Sequence, residues 1–104
     1  MMICVIATIT LKKGQRDNYL REMRKILKIV HAEDGCHEYR PTVDIQTGNR
    51  FQKEGLPDTV IILEKWETID ALKKHGMSVH MTDFRLRVKA FVQSMELQIL
   101  SPVE

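Results

Sequence analysis

Eight residues, Thr59 to Trp66, constrain this chain more than any others. Val60-Ile61-Ile62-Leu63 is apolar at four successive positions and rich in β-branched residues, the pattern of a strand whose sheet is covered on both faces. Side chains alternate along a strand, so Ile62, Glu64 and Trp66 share one face, and Ile61, Leu63 and Lys65 the other. If the first face looks at helices, a carboxylate stands among apolar groups and must be paired, hydrogen-bonded or protonated. A histidine from the 75–80 turn is a candidate partner.

The rest of the chain supplies a sheet for this strand. Met2 to Leu11 reads as a strand, with Ile3, Val5, Ala7, Ile9 and Leu11 on one face. After a turn at Lys12-Lys13-Gly14, Gln15 to Glu33 carries a helical stripe of Tyr19, Leu20, Met23, Ile26, Leu27 and Val30, and Gly35 suits the position past its end. Cys36 to Thr47 is a less regular strand in which Pro41 favours an edge or a bulge. Gly48-Asn49-Arg50 is a turn, and Phe51 to Pro57 a polar loop broken at Gly55 and Pro57. Beyond Trp66, Thr68 is a candidate N-cap for a short helix bearing Ile69, Leu72 and His75, which stops at Gly76. Ser78 caps a second helix with a stripe of Met81, Phe84, Val88 and Phe91. The last strand starts at Gln93 or Ser94 and ends at Leu100, with Met95, Leu97 and Ile99 on one side.

The order β-α-β-β-α-α-β predicts an α+β, ferredoxin-like fold with a four-stranded antiparallel sheet in strand order 4-1-3-2 and the second helix broken in two. The length, 104 residues, predicts a single domain over 1–104. Helices cover one face of the sheet. The other remains partly apolar, and a homodimer packing two sheets face to face would cover it.

Composition narrows the function classes. With 43% apolar and 29% charged residues the chain is neither disordered nor membrane-embedded, and its longest apolar run is far short of the ~20 residues of a membrane span. No leader pattern is read at the start. A net charge of +2, with basic residues scattered, gives no argument for nucleic acid. Cys4 and Cys36, the only cysteines, fit no zinc or redox spacing and lie on non-neighbouring strands, so they are read as reduced thiols of a cytoplasmic protein. No phosphate-cradling loop or flavin, nicotinamide or metalloprotease motif is present.

Candidate chemistry gathers between positions 64 and 80. His80 lies four residues before Phe84, on the same inward side and near a helix N-terminus. Burial and the positive helix end both lower its proton affinity, which suits a base near pH 7. Each residue also has a purely structural reading: His80 as a core histidine satisfied by backbone, Trp66 as packing, Glu64 reaching solvent, and His75 as the polar end of a short helix. His75 and His80 are five apart across a glycine and do not form the i, i+4 chelating pair of one helix, so no metal is expected.

Glu33-Asp34-Gly35-Cys36 followed by Tyr39, then Glu64-Lys65-Trp66, then His75 with Ser78-Val79-His80, resemble the antibiotic biosynthesis monooxygenase domain family, and within it the small bacterial quinol monooxygenases. The resemblance implies a dimeric α+β barrel with a pocket between sheet and helices in each subunit. It also implies oxidation of a quinol or phenolic small molecule by O2 without a cofactor. On that pattern His80 is the base, with Trp66 and His75 completing the catalytic set, and Tyr39, Glu64, Phe84 and Ile62 contact substrate. Polyketide-modifying members carry asparagine where Ile62 stands, and haem-degrading relatives differ at Ala7 and around Phe84-Arg85, so neither chemistry is expected. An isomerase or carbonyl-processing enzyme of the autoinducer-processing type, or a non-catalytic ligand-binding dimer, remain as other readings.

Overall fold

A computed structural model describes residues 2–53 and 56–103. Its elements are β1 (Ile3–Leu11), α1 (Arg16–His31), β2 (Cys36–Thr42), β3 (Thr59–Trp66), α2 (Ile69–Met77), α3 (Val79–Val88) and β4 (Val92–Leu100). The strands form one antiparallel sheet in the order β2-β3-β1-β4, the ferredoxin-like α+β arrangement expected from the sequence.

Period two on the strands and the apolar stripes of the helices meet in one core. Val5, Ala7, Ile9, Val60, Ile62 and Trp66 are buried on the helix side of the sheet. Tyr19, Met23, Ile26 and Val30 of α1 and Met81, Phe84 and Val88 of α3 cover them. Among the described residues only that side is covered: Val60 is 0% exposed, whereas Leu63 is 37% exposed. The second cover expected from the Val60–Leu63 run is not supplied by any element of the described residues. Cys4 and Cys36 are free thiols on strands separated by β3.

Several boundaries differ from expectation. β2 ends at Thr42, not Thr47. Its ladder with β3 reaches only the Thr42–Ile61 pair, so residues beyond Thr42 have no strand to pair with, and Val43 and Ile45 are exposed. Gly55, read as a break in the following loop, lies outside the described residues. α1 ends at His31, and Gly35 serves the turn into β2 with φ of +79°. Gly76 does not stop the short helix, since α2 continues to Met77. The break is made by Ser78, whose extended backbone (φ −65°, ψ 151°) ends α2 while its hydroxyl caps α3 by accepting from the Met81 amide. α3 stops at Val88, three residues short of Phe91.

Candidate active site

The site grows from the alternation along β3. Glu64 pairs across the sheet with Val5 on β1 and Tyr39 on β2, so all three face the helices. Glu64 is 6% exposed and Trp66 is fully buried. The Trp66 indole Nε1–H donates to Glu64 Oε1 at 2.9 Å. Burial pushes the Glu64 carboxyl up to about 7; the indole hydrogen bond opposes this, and the negative charge of Glu33 adds to it. Among the described residues no basic side chain is paired with Glu64, and the expected histidine–Glu64 contact does not form. Among the described residues no buried side-chain nitrogen or oxygen lacks a partner. Glu64 Oε2 has no hydrogen-bond partner among the described residues and is therefore open to the cavity that Glu64 lines.

The histidines are gathered by Glu33 instead. His75 Nδ1 lies 2.8 Å and His80 Nε2 3.0 Å from the same oxygen, Glu33 Oε2. Burial lowers the proton affinity of His75, with Glu33 acting in the opposite direction. A carboxylate only accepts, so neutral His75 carries its proton on Nδ1 and its lone pair on Nε2. The ring is clamped between Trp66, with centroids 4.6 Å apart, and Tyr39, at 5.2 Å. Both Tyr39 and Tyr19 are held in the phenol form, burial first and the Glu64 charge next.

These groups edge an apolar cavity of about 530 Å³ between the sheet and α2 and α3. Its polar interior consists of Glu64, His75, Tyr39 and Tyr19. Ile62 and Phe84 form apolar walls, Tyr19 packing edge-on against Phe84 at 5.6 Å. Met95, Leu97 and Ile99 of β4 form the far side, each about half exposed, and Lys73, Arg85 and Lys89 stand on the lining at exposed positions.

Of the residues singled out in the sequence, His75, Glu64, Tyr39, Phe84 and Ile62 lie on this wall, whereas Trp66 and His80 stand one layer behind it. Trp66 is enclosed between Glu64 and His75. His80 sits one residue off the Met81–Phe84–Val88 stripe, about 100° around the helix, and its side chain is 24% exposed beyond Glu33. Two polar residues of the site had no role assigned from sequence. Tyr19 was visible only as part of a helical stripe. Glu33 is brought in by the tight α1–β2 turn, and the legible sign of that approach is Gly35: a Cβ there would lie 2.7 Å from the Ala71 Cβ of α2.

Glu33, His75 and His80 present one ligand atom each within 4.8 Å of one another, a donor set able to hold a divalent metal. The spacing argument against a His75–His80 pair did not foresee this third donor. In the structure described, the three groups satisfy one another by hydrogen bonds.

Comparison with known proteins bears on this geometry. The antibiotic biosynthesis monooxygenase family profile matches residues 2–87. The chain is 39% identical over 103 residues to a protein of Escherichia coli (strain K12) named "Probable quinol monooxygenase YgiN", covering 97% of this chain and 98% of that one. The fold is similar to the crystal structure of PA3566 from Pseudomonas aeruginosa, with TM-score 0.81, 24% identity and coverage of 99% and 95%. It is also similar to Rv0793 from Mycobacterium tuberculosis, with TM-score 0.81, 19% identity and coverage of 100% and 97%.

Proposed function

The chain belongs to the antibiotic biosynthesis monooxygenase family, and from that premise we propose that it oxidises a quinol or electron-rich phenol with O2, using no cofactor. The observation that carries the reading is a largely apolar cavity whose buried polar lining is two acid–base side chains and two phenols, with Lys73, Arg85 and Lys89 at exposed positions of its wall. Apolar walls suit an aromatic ring better than the small polar carbonyl compound an isomerase of this superfamily would take. Ionisable groups directed at the cavity distinguish it from a purely ligand-binding hollow.

The chemistry asks little of the protein. A neutral hydroquinone reduces O2 poorly, and its anion does so readily. The His75 Nε2 lone pair removes one hydroxyl proton, and the resulting anion adds O2 at the neighbouring ring carbon. Loss of water then leaves a hydroxyquinone, with one oxygen atom of O2 in the ring product and the other in water. Glu33 holds His75 in the required tautomer, and His80 braces Glu33 from the other side. Trp66 fixes the His75 plane and orients Glu64. Tyr39 and Glu64 contact the ring oxygens, and Phe84 and Ile62 sandwich the ring. The reading further takes the protein as a homodimer, the open sheet face being covered by a second copy, and as cytoplasmic, since two unbridged cysteines suit a reducing compartment.

Oxygen uptake with a panel of hydroquinones, in chelator and with no flavin added, tests the proposal. Wild type is expected to consume O2 and release hydroxyquinone. His75→Ala is expected to lose ~10²-fold or more in kcat, and His80→Ala less, because it removes a brace and not the base. No uptake by wild type with any quinol would refute the proposed activity.

A further inference from the structure

Resting on the quinol reading above, we infer that Glu64 is a second catalytic residue, a cavity-wall carboxyl that delivers the proton to the peroxide and so decides whether oxygen ends in the ring or leaves as hydrogen peroxide. His75 acting alone would have to carry every proton between three separate atoms of the substrate: the hydroxyl oxygen, the outer peroxide oxygen and the neighbouring ring carbon. Once His75 has taken the hydroxyl proton it is an imidazolium, and the bound peroxide still needs a proton to stay on the path to water. The proton of the ring carbon must also be removed as the O–O bond breaks. A second group in the same cavity, an acid at one moment and a base at the next, divides that work and leaves His75 at the hydroxyl.

Glu64 has the placement for it. It stands on the cavity wall with one oxygen held by the Trp66 indole and the other open to the cavity. The same indole stacks against His75, so the two groups are set at the edge and the face of one rigid ring. The groups facing Glu64 from the elements around it hold it neutral or leave it unpaired. Tyr39 on β2 and Tyr19 on α1 are phenols, Glu33 after α1 is an anion, and His75 on α2 is neutral in the resting state. Val5 on β1 and Met95 and Leu97 on β4 are apolar. Lys73 on α2, Arg85 on α3 and Lys89 just past α3 line the same cavity at exposed positions; among the described residues none is paired with Glu64, and the Arg85 guanidinium is engaged by the Gly76 carbonyl at 2.7 Å.

His75 takes the hydroxyl proton, and the quinol anion adds O2. Neutral Glu64 protonates the outer peroxide oxygen, giving a ring hydroperoxide and a carboxylate. That carboxylate removes the proton from the same ring carbon; the C–H electron pair forms the new carbonyl, the O–O bond breaks, and the departing hydroxide takes the proton held on His75. Water and a hydroxyquinone leave, and both side chains regain their starting states. Without the second group, the intermediate loses hydrogen peroxide and yields the unsubstituted quinone.

Glu64→Gln keeps the acceptor for the Trp66 indole and removes the transferable proton. It is expected to convert quinol and O2 to quinone and hydrogen peroxide in equal amounts, with hydroxyquinone formation down ~10²-fold or more. Wild type is expected to place one labelled atom from ¹⁸O₂ in its product. Its rate is expected to fall as pH rises through about 7, where the Glu64 carboxyl loses its proton; Glu64→Gln loses that alkaline limb and Glu64→Asp retains one. Hydroxyquinone formation by Glu64→Gln at the wild-type rate, with the limb unchanged, overturns the role of Glu64 and leaves the quinol reading standing. Failure of wild type to consume O2 overturns both. An infrared band of a neutral carboxyl, present at pH 6 and absent in Glu64→Gln, is required whichever substrate is used; its absence overturns the proposal before any turnover is measured.

Discussion

At the scale of single residues, Glu64 trades stability for placement. Its carboxyl is raised from 4.5 to about 7 in the fold. Across that window the native chain holds a proton that the unfolded chain has released, so stability falls as pH rises from about 4.5 to 7 and stays lower above it. At ~1.4 kcal/mol per decade of proton affinity the loss is on the order of 3 kcal/mol. Glu64→Gln is therefore expected to be more stable than wild type at pH 8 by about 2–3 kcal/mol in urea unfolding, with the gap closing below pH 4.5. Glu33 acts through its neighbour: Glu33→Gln lets the His75 tautomer drift, and kcat is expected to drop ~10²-fold or more with KM little changed. The facing of Glu64 and Trp66 was legible because strand alternation is strict. His80 drew attention over His75 because a helical stripe leaves its edges ambiguous by one residue, and one residue is about 100°. The grouping of Glu33 with His75 spans 42 residues, a distance that no local periodicity reports.

At the scale of elements, the site depends on how closely the α1–β2 turn meets α2. Gly35 has φ of +79° and leaves room only for hydrogen where a Cβ would meet Ala71 at 2.7 Å. Its carbonyl also accepts from the Glu67 amide at 2.8 Å. Gly35→Ala combines a left-handed backbone penalty with a clash, and is expected to cost on the order of 2–4 kcal/mol, read from denaturant midpoints, while drawing Glu33 away from His75. Ser78→Ala removes the α3 cap and the hydroxyl that donates to the His75 carbonyl at 2.8 Å. About 1 kcal/mol of destabilisation is expected from the lost cap, read from thermal unfolding. The break between these helices was legible from sequence, but its cause was misplaced. Glycine permits a helix end without requiring one, whereas Ser78 both leaves helical geometry and satisfies the next helix's free amides. The overlong reading of β2 has a similar origin: Val43 and Ile45 have strand-like residue types, and a strand still needs a neighbour.

At the scale of the whole molecule, a four-residue apolar run predicts a sheet with two covered sides, and the described residues supply one. Ile61 is half-buried and Leu63 more than a third exposed on the open side. The proposed homodimer is expected to sediment at twice the 12.1 kDa of the chain. Leu63→Lys, placing a charge at the centre of the joined faces, is expected to shift it toward monomer by about tenfold or more in dissociation constant. Topology was readable because each element announces itself locally. The cavity was not, because its volume depends on where α2 and α3 come to rest above the sheet.

One feature of that cavity bears on how such a scaffold changes over time. Its far wall is β4, where Met95, Leu97 and Ile99 point to the helix side yet remain 56%, 49% and 52% exposed. Exchanges among side chains of different bulk at these three positions can therefore resize the chamber at little thermodynamic expense, while the proton-handling corner built on β3 and α2 stays rigid. A lineage built on this plan is free to wander among ring sizes and substituents without reinventing its chemistry, and directed evolution aimed at new aromatic feedstocks should begin at that edge strand.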